Sequence, residues 1–481
     1  MAIRPLFTQR GSLFLGLAVV YFAYLGLFGP KLWRGDYVFD GSGNAQILEA
    51  EQWWNGRLDL PERLHDTALR DGRIYSHFPP MFTMLAALVV PFFAGVPHWY
   101  VVALLLLPLP ALAYVLVTRV LHAAHPTART ADDSACPSVG ITHRAGFARL
   151  LFFLLALLPV IAPIVVGRSN YSQVDWAKVA TLALLAGVLI LVIHRVDVVP
   201  PWREALLTLG FLCGTSLWPV ADRTVRAASP YFVNHTLAVL GVLTLLIELF
   251  GRRRVWLAGL GLIIAAWSRQ MTLAYVLMLA WMAFHASAGA ARRRALMQLA
   301  AVVVVAVVVP MTLNALKFGS STESGYGLIY EGRNDVFAED ARTHGVFSPV
   351  FIPRNVYYAN FGFWDRTVIT VAGVREAHYR PNDAGTGIWW TTPLLLWLFF
   401  ELPRILRSAP DRWLLLTALL IFGALLTFHA TGASQRGFNR FSLDYLPALF
   451  VLIVPVALAG WRTWISVGVI AWSVVYFVWM I

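Results

Sequence analysis

The sequence predicts an all-α polytopic membrane protein of about thirteen transmembrane helices, and three observations carry that expectation. Of its 481 residues, 58% are hydrophobic and only 13% charged, against roughly 25% charged in an ordinary soluble domain. Apolar runs of roughly 20 residues, the length a helix needs to cross a bilayer, recur from end to end. Arginine falls mainly on alternate connections, as the positive-inside rule requires. A β-barrel would show short alternating segments instead, and none is seen.

In chain order the spans are placed at 11–29, 98–120, 149–167, 178–194, 204–220, 231–250, 255–267, 272–286, 296–315, 389–403, 413–429, 442–460 and 463–480. The N-terminus, charged and then apolar, reads as an uncleaved signal anchor that becomes the first span. With that end inside, the cytoplasmic connections hold eighteen basic residues, including the triplets Arg252–Arg254 and Arg292–Arg294. The short outer loops hold seven. The net charge of +12 is thus assigned to anionic headgroups rather than to nucleic acid, because no soluble basic module exists to carry a nucleic-acid site. The two cysteines, Cys136 and Cys213, imply no disulfide framework.

Between the two arginine triplets lie 37 mostly apolar residues, barely enough for two full crossings. The expected solution is a hairpin with its apex at "WSRQ", placing Arg269 at membrane depth against protein or water, since exposure to lipid is costly. The whole chain, 1–481, reads as a single transmembrane domain with two long outer segments. The first, 31–97, begins with "YVFDGSGNAQILEAEQWWNGRLDLP" and ends in a Pro-marked apolar stretch read as an interfacial or re-entrant helix. The second, 316–388, is polar and aromatic.

The chemistry-bearing residues collect on that outer side. Asp36 and Asp40 follow the first span; they are either solvated loop carboxylates or a general base at the edge of a cavity. Trp53 and Trp54 suit an interfacial anchor for the same loop. Arg269, Lys317, Arg436 and Arg440 are either headgroup partners or, taken together, a cluster of fixed positive charge for a phosphate leaving group. Tyr75, His77, His235, Arg354 and Tyr357 are candidate substrate-lining residues, although a buried histidine such as His235 is more often a satisfied core residue, and aromatics such as Phe78, Trp364, Trp389 and Trp390 more often interface anchors. "GSG" at 41–43 lacks the strand, the third glycine and the lysine of a phosphate loop. No metal-ligand motif is present: "HAAH" at 122–125 has no further ligands.

A set of longer stretches then resembles a family. The first-loop aspartates, "EAEQWWNGRLDLP", "DGRIYSHFPPMF", "AAWSRQMTLAY", "KFGSSTESGYGL", "FSPVFIPRNVYYANF" and "RFSLDYLPAL" together look like the GT-C superfamily of integral-membrane glycosyltransferases. The nearest style is the protein O-mannosyltransferase-like branch, akin to aminoarabinose and arabinofuranosyl transferases. The resemblance implies a polyprenyl-phosphate sugar as donor, a glycan, lipid or protein hydroxyl as acceptor, and a bacterial inner-membrane enzyme with its site facing the periplasm. It implies an acidic base in the first outer loop, carried here onto Asp40 first and Asp36 second. In many relatives that acid stands nearer the following helix, at a position close to Ser42 or Gly43 in this chain. The expected reaction is inverting and requires no cofactor, with a divalent cation left open. A lipid-linked glycan transporter or flippase, and a glycan polymerase or ligase, are the competing readings. The transporter would predict repeats and ionisable groups at the midplane, whereas here the polar chemistry gathers at the outer face.

Overall fold

The computed structural model describes residues 9–28, 37–124, 202–331, 333–371, 374–429 and 436–480. The protein is mostly helical. Among the described residues, four helices are long and apolar enough to cross a membrane: His98–Ala124, Pro230–Leu249, Ala290–Phe318 and Ala409–Leu426. A fifth arises if Trp202–Cys213 and Leu217–Ala227, bent by 59° at their junction, form one span. The remaining apolar helices, such as Val255–Ser268, Leu446–Ala457 and Arg462–Val478, are shorter. Thirteen full crossings are therefore not confirmed, and the predicted spans 149–167 and 178–194 lie outside the described residues. The predicted span 389–403 is replaced by three short pieces, Ile388–Thr391, Pro393–Leu396 and Trp397–Arg407, because Pro393 interrupts the ladder of backbone hydrogen bonds.

The hairpin between the arginine triplets forms. Val255–Ser268 ends where Arg269 turns extended (φ −144°, ψ 104°), and a 3₁₀ turn, Gln270–Tyr275, leads into Val276–Phe284. The two ends of this segment meet, with the Arg253 guanidinium lying 5.1 Å from the Trp281 ring centroid. Against it packs Pro230–Leu249, and the closest approach is glycine on glycine. A Cβ on Gly241 would strike the Gly261 carbonyl, and one on Gly261 the Gly241 carbonyl. In lipid, where apolar burial gives little drive, such small-residue contacts let backbones close together.

Charges sort the bundle end to end. At one end Glu248 (1% exposed) pairs with Arg254 at 2.7 Å and Arg119 at 3.7 Å. Glu401 joins Arg404 and Arg462, and Arg404 also reaches Asp411 at 3.1 Å. All four arginines were expected on one side from sequence. The opposite ends of three of these helices, at Pro230, Ser268 and Leu425, converge with a turn that begins at Arg440 on a cavity. Pro230–Leu249 spans 20 residues, so the two regions are roughly 30 Å apart.

The all-α expectation is modified in the outer segments, where three two-stranded antiparallel sheets occur among the described residues. Val38–Phe39 pairs with Val96–Pro97 and closes the first segment on itself. Thr67–Arg70 pairs with Arg73–Ser76 through Asp71 (φ 49°) and Gly72 (φ 73°), the two left-handed residues of a hairpin turn that Asp-Gly favours. Asp365–Val371 pairs with Val374–Arg380 in the second segment. The Pro-marked tail of the first segment forms two short helices, Met81–Ala87 and Val90–Phe93.

A buried ion pair anchors the first segment. Lys317, 5% exposed, pairs with Glu49 and donates to the Ser76 carbonyl at 3.1 Å, while Thr83 donates to the other Glu49 oxygen at 2.8 Å. Removing one partner of such a pair strands the other charge. Lys317→Met should therefore cost about 3–5 kcal/mol of stability, and Lys317→Met with Glu49→Met should recover most of it. Thermal unfolding in detergent reads both; a single variant that melts like wild type refutes the role.

Candidate functional site

The cavity of about 480 Å³ sits where these helix ends meet residues of both outer segments. Its inner wall is built by sequence-distant pieces. The turn Arg440–Asp444 is set by Asn439, whose side chain accepts from the Ser442 backbone N–H at 3.2 Å. That turn buries Asp444 completely. Asp444 accepts a forked pair of hydrogen bonds from Arg269, Nε at 3.2 Å and Nη2 at 3.0 Å, and His235 Nδ1 lies 3.4 Å away. The forked contact fixes the plane of the Arg269 guanidinium as well as its position. Arg269 lies over the Phe441 ring at 5.0 Å, and Arg440 lies over Phe441, Tyr231 and Phe232 at 5.0, 5.3 and 5.7 Å. Both cations are thus faced by aromatic rings, which attract positive charge while excluding water.

The outer wall carries the carboxylates. Asp66, just before the strand Thr67–Arg70, has φ 59°, a left-handed conformation that Asp and Asn adopt more readily than other non-glycine residues. Tyr231 donates to its Oδ2 at 2.6 Å, Arg333 pairs with its Oδ1, and His65 Nδ1 is 3.3 Å away. Arg333 also reaches Asp335 at 2.7 Å, while Asp335 Oδ1 accepts from the Phe337 and Ala338 N–H groups, each at 3.0 Å, and caps the helix Val336–His344. Burial alone would raise the Asp335 carboxyl, but those N–H donors and Arg333 hold it below the ordinary carboxylate value. Burial likewise opposes the Arg333 cation, and the bond to Asp335 with the charge of Asp66 outweighs it, so the guanidinium is held above its usual value.

Between the walls stand His77, Tyr326 and Tyr330. The His77 ring packs on Phe78 and Tyr326 with centroids at 4.3 and 4.9 Å. Burial pushes its imidazole down to about 4, despite the opposing charge of Asp66, so it is neutral at pH 7. Burial raises the Tyr326 hydroxyl above its ordinary value. Tyr330 shares a 2.5 Å hydrogen bond with His429 Nε2.

Of the residues singled out from sequence, Arg269, Arg440, His77, His235 and Phe78 line this cavity, so Phe78 is a buried wall residue rather than an interface anchor. The others stand elsewhere. Asp40 is an exposed turn residue that accepts from the Ser42 N–H (3.1 Å) and Oγ (2.6 Å). It leads into the helix Ala45–Trp54, which Asn44 caps. Asp36 lies outside the described residues. Lys317 is committed to Glu49 rather than open to a phosphate. Arg436 is exposed and 3.8 Å from Asp383. Tyr75 packs on Phe318 with ring centroids 5.8 Å apart. Arg354 binds Asp340 and the His429 carbonyl, each at 2.7 Å, and Tyr357 is half exposed away from the lining residues. The reading of single residues missed Asp66, Arg333, Asp335 and the tyrosines. Two local signals were available: the Asp-Gly hairpin that places Asp66 at its start, and the Asp335 cap before "VFAED".

Among the described residues, no group of three or more His, Cys, Asp or Glu is arranged to hold a metal ion. No family model matches the chain, and no curated protein or solved structure matches it.

The His77 environment has a pH consequence. In the unfolded chain the ring takes a proton below its ordinary value of 6.5, in the folded protein only below about 4. Between those values the unfolded chain binds the extra proton, so stability falls as pH falls. Thermal unfolding in detergent should show a loss of up to about 1.4 kcal/mol per pH unit across that window from this group, and His77→Phe should flatten the slope. An unchanged slope in the variant refutes the assignment.

Proposed function

We propose that this protein is an inverting glycosyltransferase of the membrane, moving a sugar from a polyprenyl-phosphate donor to an acceptor hydroxyl at the periplasmic face. The observation that carries the reading is the joint lining of one cavity, remote from the arginine-bearing helix ends, by a carboxylate, Asp66, and the guanidinium groups of Arg269, Arg333 and Arg440 among aromatic rings. An apolar bundle gives a lipid tail somewhere to lie, and the cations give its phosphate a counter-charge. The resemblance of the sequence stretches to GT-C enzymes points the same way.

In this reading the acceptor oxygen attacks the anomeric carbon from the face opposite the phosphate, and its proton passes to Asp66. The bond from the anomeric carbon to the phosphate oxygen breaks, and the electron pair leaves with the lipid phosphate, whose charge Arg440 and its neighbours offset. Tyr231, Tyr326 and Tyr330 offer faces and hydroxyls to a sugar ring. Asp66 takes the role given to Asp40 by resemblance, because Asp66 lines the cavity and Asp40 is spent on its own turn. The bacterial inner membrane is the proposed location; the apolar helices support a membrane protein and the arginine distribution supports an inward N-terminus.

The test is transfer from a panel of radiolabelled polyprenyl-phosphate sugars in proteoliposomes. Asp66→Asn should lower kcat by about 10²–10⁴ and Arg440→Gln by about 10²–10³, whereas Asp40→Asn should retain most of the activity. Loss in Asp40→Asn with retention in Asp66→Asn reverses the assignment of the base. Movement of lipid across the bilayer without transfer from any donor sinks the enzyme and favours a flippase.

A further inference from the structure

An acceptor hydroxyl must reach an oxygen of Asp66, and both already have partners: Oδ2 the Tyr231 hydroxyl at 2.6 Å, and Oδ1 the Arg333 guanidinium and, at 3.3 Å, His65 Nδ1. The same Arg333 holds Asp335 at 2.7 Å and lies over the Tyr330 ring at 5.3 Å. It therefore joins two carboxylates from the two outer segments, and all three groups line the cavity. Tyr231 links this clamp to the inner wall, because its ring also faces the Arg440 guanidinium at 5.3 Å. A second cross-segment bond, from Arg63 Nη2 to the Glu331 carbonyl at 2.7 Å, keeps the segments together beside the clamp without using Arg333. The Arg333–Asp66 contact can therefore open without the two segments losing their only link.

We propose that the donor phosphate and Asp66 compete for Arg333: the entering phosphate takes the guanidinium over, and this exchange frees Asp66 Oδ1 for the acceptor hydroxyl. The idea rests on the glycosyltransferase reading. A guanidinium suits such an exchange because its planar fork binds phosphate and carboxylate oxygens with the same geometry. Asp335 stays on Arg333 throughout and keeps it aimed at the cavity, since its second oxygen is fixed by the helix cap. Arg333 is then a phosphate ligand and Asp66 a base made available only when donor is bound. The chemistry adds no reactant: the proton of the acceptor hydroxyl goes to Asp66 Oδ1 and the leaving electron pair to the phosphate oxygen that Arg333 now holds. The consequence is an order, donor before acceptor, that withholds the base from water in the empty site.

The test is equilibrium binding of polyprenyl phosphate, carrying no sugar, to the detergent-solubilised full chain. Asn accepts the left-handed backbone of position 66 as Asp does, so Asp66→Asn is compatible with the fold. Removing the competitor should tighten binding about tenfold, the scale of one charge-assisted hydrogen bond. Arg333→Gln should weaken binding, and adding Asp66→Asn to it should give no gain. If binding to Asp66→Asn is equal to or weaker than wild type, the exchange is wrong. It is equally wrong if the gain persists in the Arg333→Gln background, because the effect is then the loss of a nearby negative charge. Wild-type protein that transfers sugar but fails this test loses the exchange alone; wild-type protein that binds no polyprenyl phosphate loses the functional reading and the exchange together.

Discussion

The ion pair between Arg269 and Asp444 is the contact on which the cavity depends. Both groups are set among apolar helices, where a lone charge is expensive and a hydrogen-bonded pair is tolerable. To meet Asp444 the chain must leave helical geometry at Arg269, which ends one helix and starts the return arm of the hairpin. Asp444 in turn needs the tight turn Arg440–Asp444 to bring it there. That turn is what swings Arg440 and Phe441 onto the cavity wall. One electrostatic requirement thereby positions a helix break, a turn and two further side chains.

The same constraint operates at the other end of the bundle with a different outcome. Glu248 and Glu401 are each buried and each gather two arginines, so their charges are consumed in tying helices together. Lys317 and Glu49 do this between the first outer segment and the end of Ala290–Phe318. In these clusters the partners close on each other. At the cavity, charges that belong to different segments face a common space of about 480 Å³. The charges of this protein thus differ in whether a partner fills the space in front of them.

The outer segments supply what the helices lack. A transmembrane helix cannot cheaply carry a carboxylate facing lipid, so Asp66 and Asp335 are delivered from a β-hairpin and a helix cap. Both devices are short and locally specified: Asp71-Gly72 turns the hairpin, and Asp335 satisfies two N–H groups that the helix start leaves open. The first segment is held by the pairing of Val38–Phe39 with Val96–Pro97. The second is held by Asn355, which donates to the Leu426 and Phe428 carbonyls at 2.8 Å each. Loops fixed at their bases in this way can present side chains to a cavity with the precision of the helices beneath them.

Composition and period determined the apolar helices, several of them long enough to cross a membrane, and the hairpin around Arg269, because each follows from local chain length and from the cost of burying a charge. Four of the arginines that the alternation placed on one side meet in two ion-pair clusters, Arg119 and Arg254 on Glu248, Arg404 and Arg462 on Glu401. The number of crossings was less legible, since a window of apolar residues cannot tell a full span from a helix cut by Pro393 or bent at residues 214–216. Which loop carboxylate enters the cavity was not legible. Asp40 and Asp66 are both loop aspartates, and the Asp-Gly hairpin that follows Asp66 marks where it stands in the chain but not what it faces. Only the tertiary structure separates the two, by turning Asp40 onto Ser42 and bringing Asp66 within reach of Tyr231 and Arg333, residues 165 and 267 positions away in the chain. A hydrogen bond of that sequence separation is decided by where whole segments pack, and no short stretch of sequence encodes it.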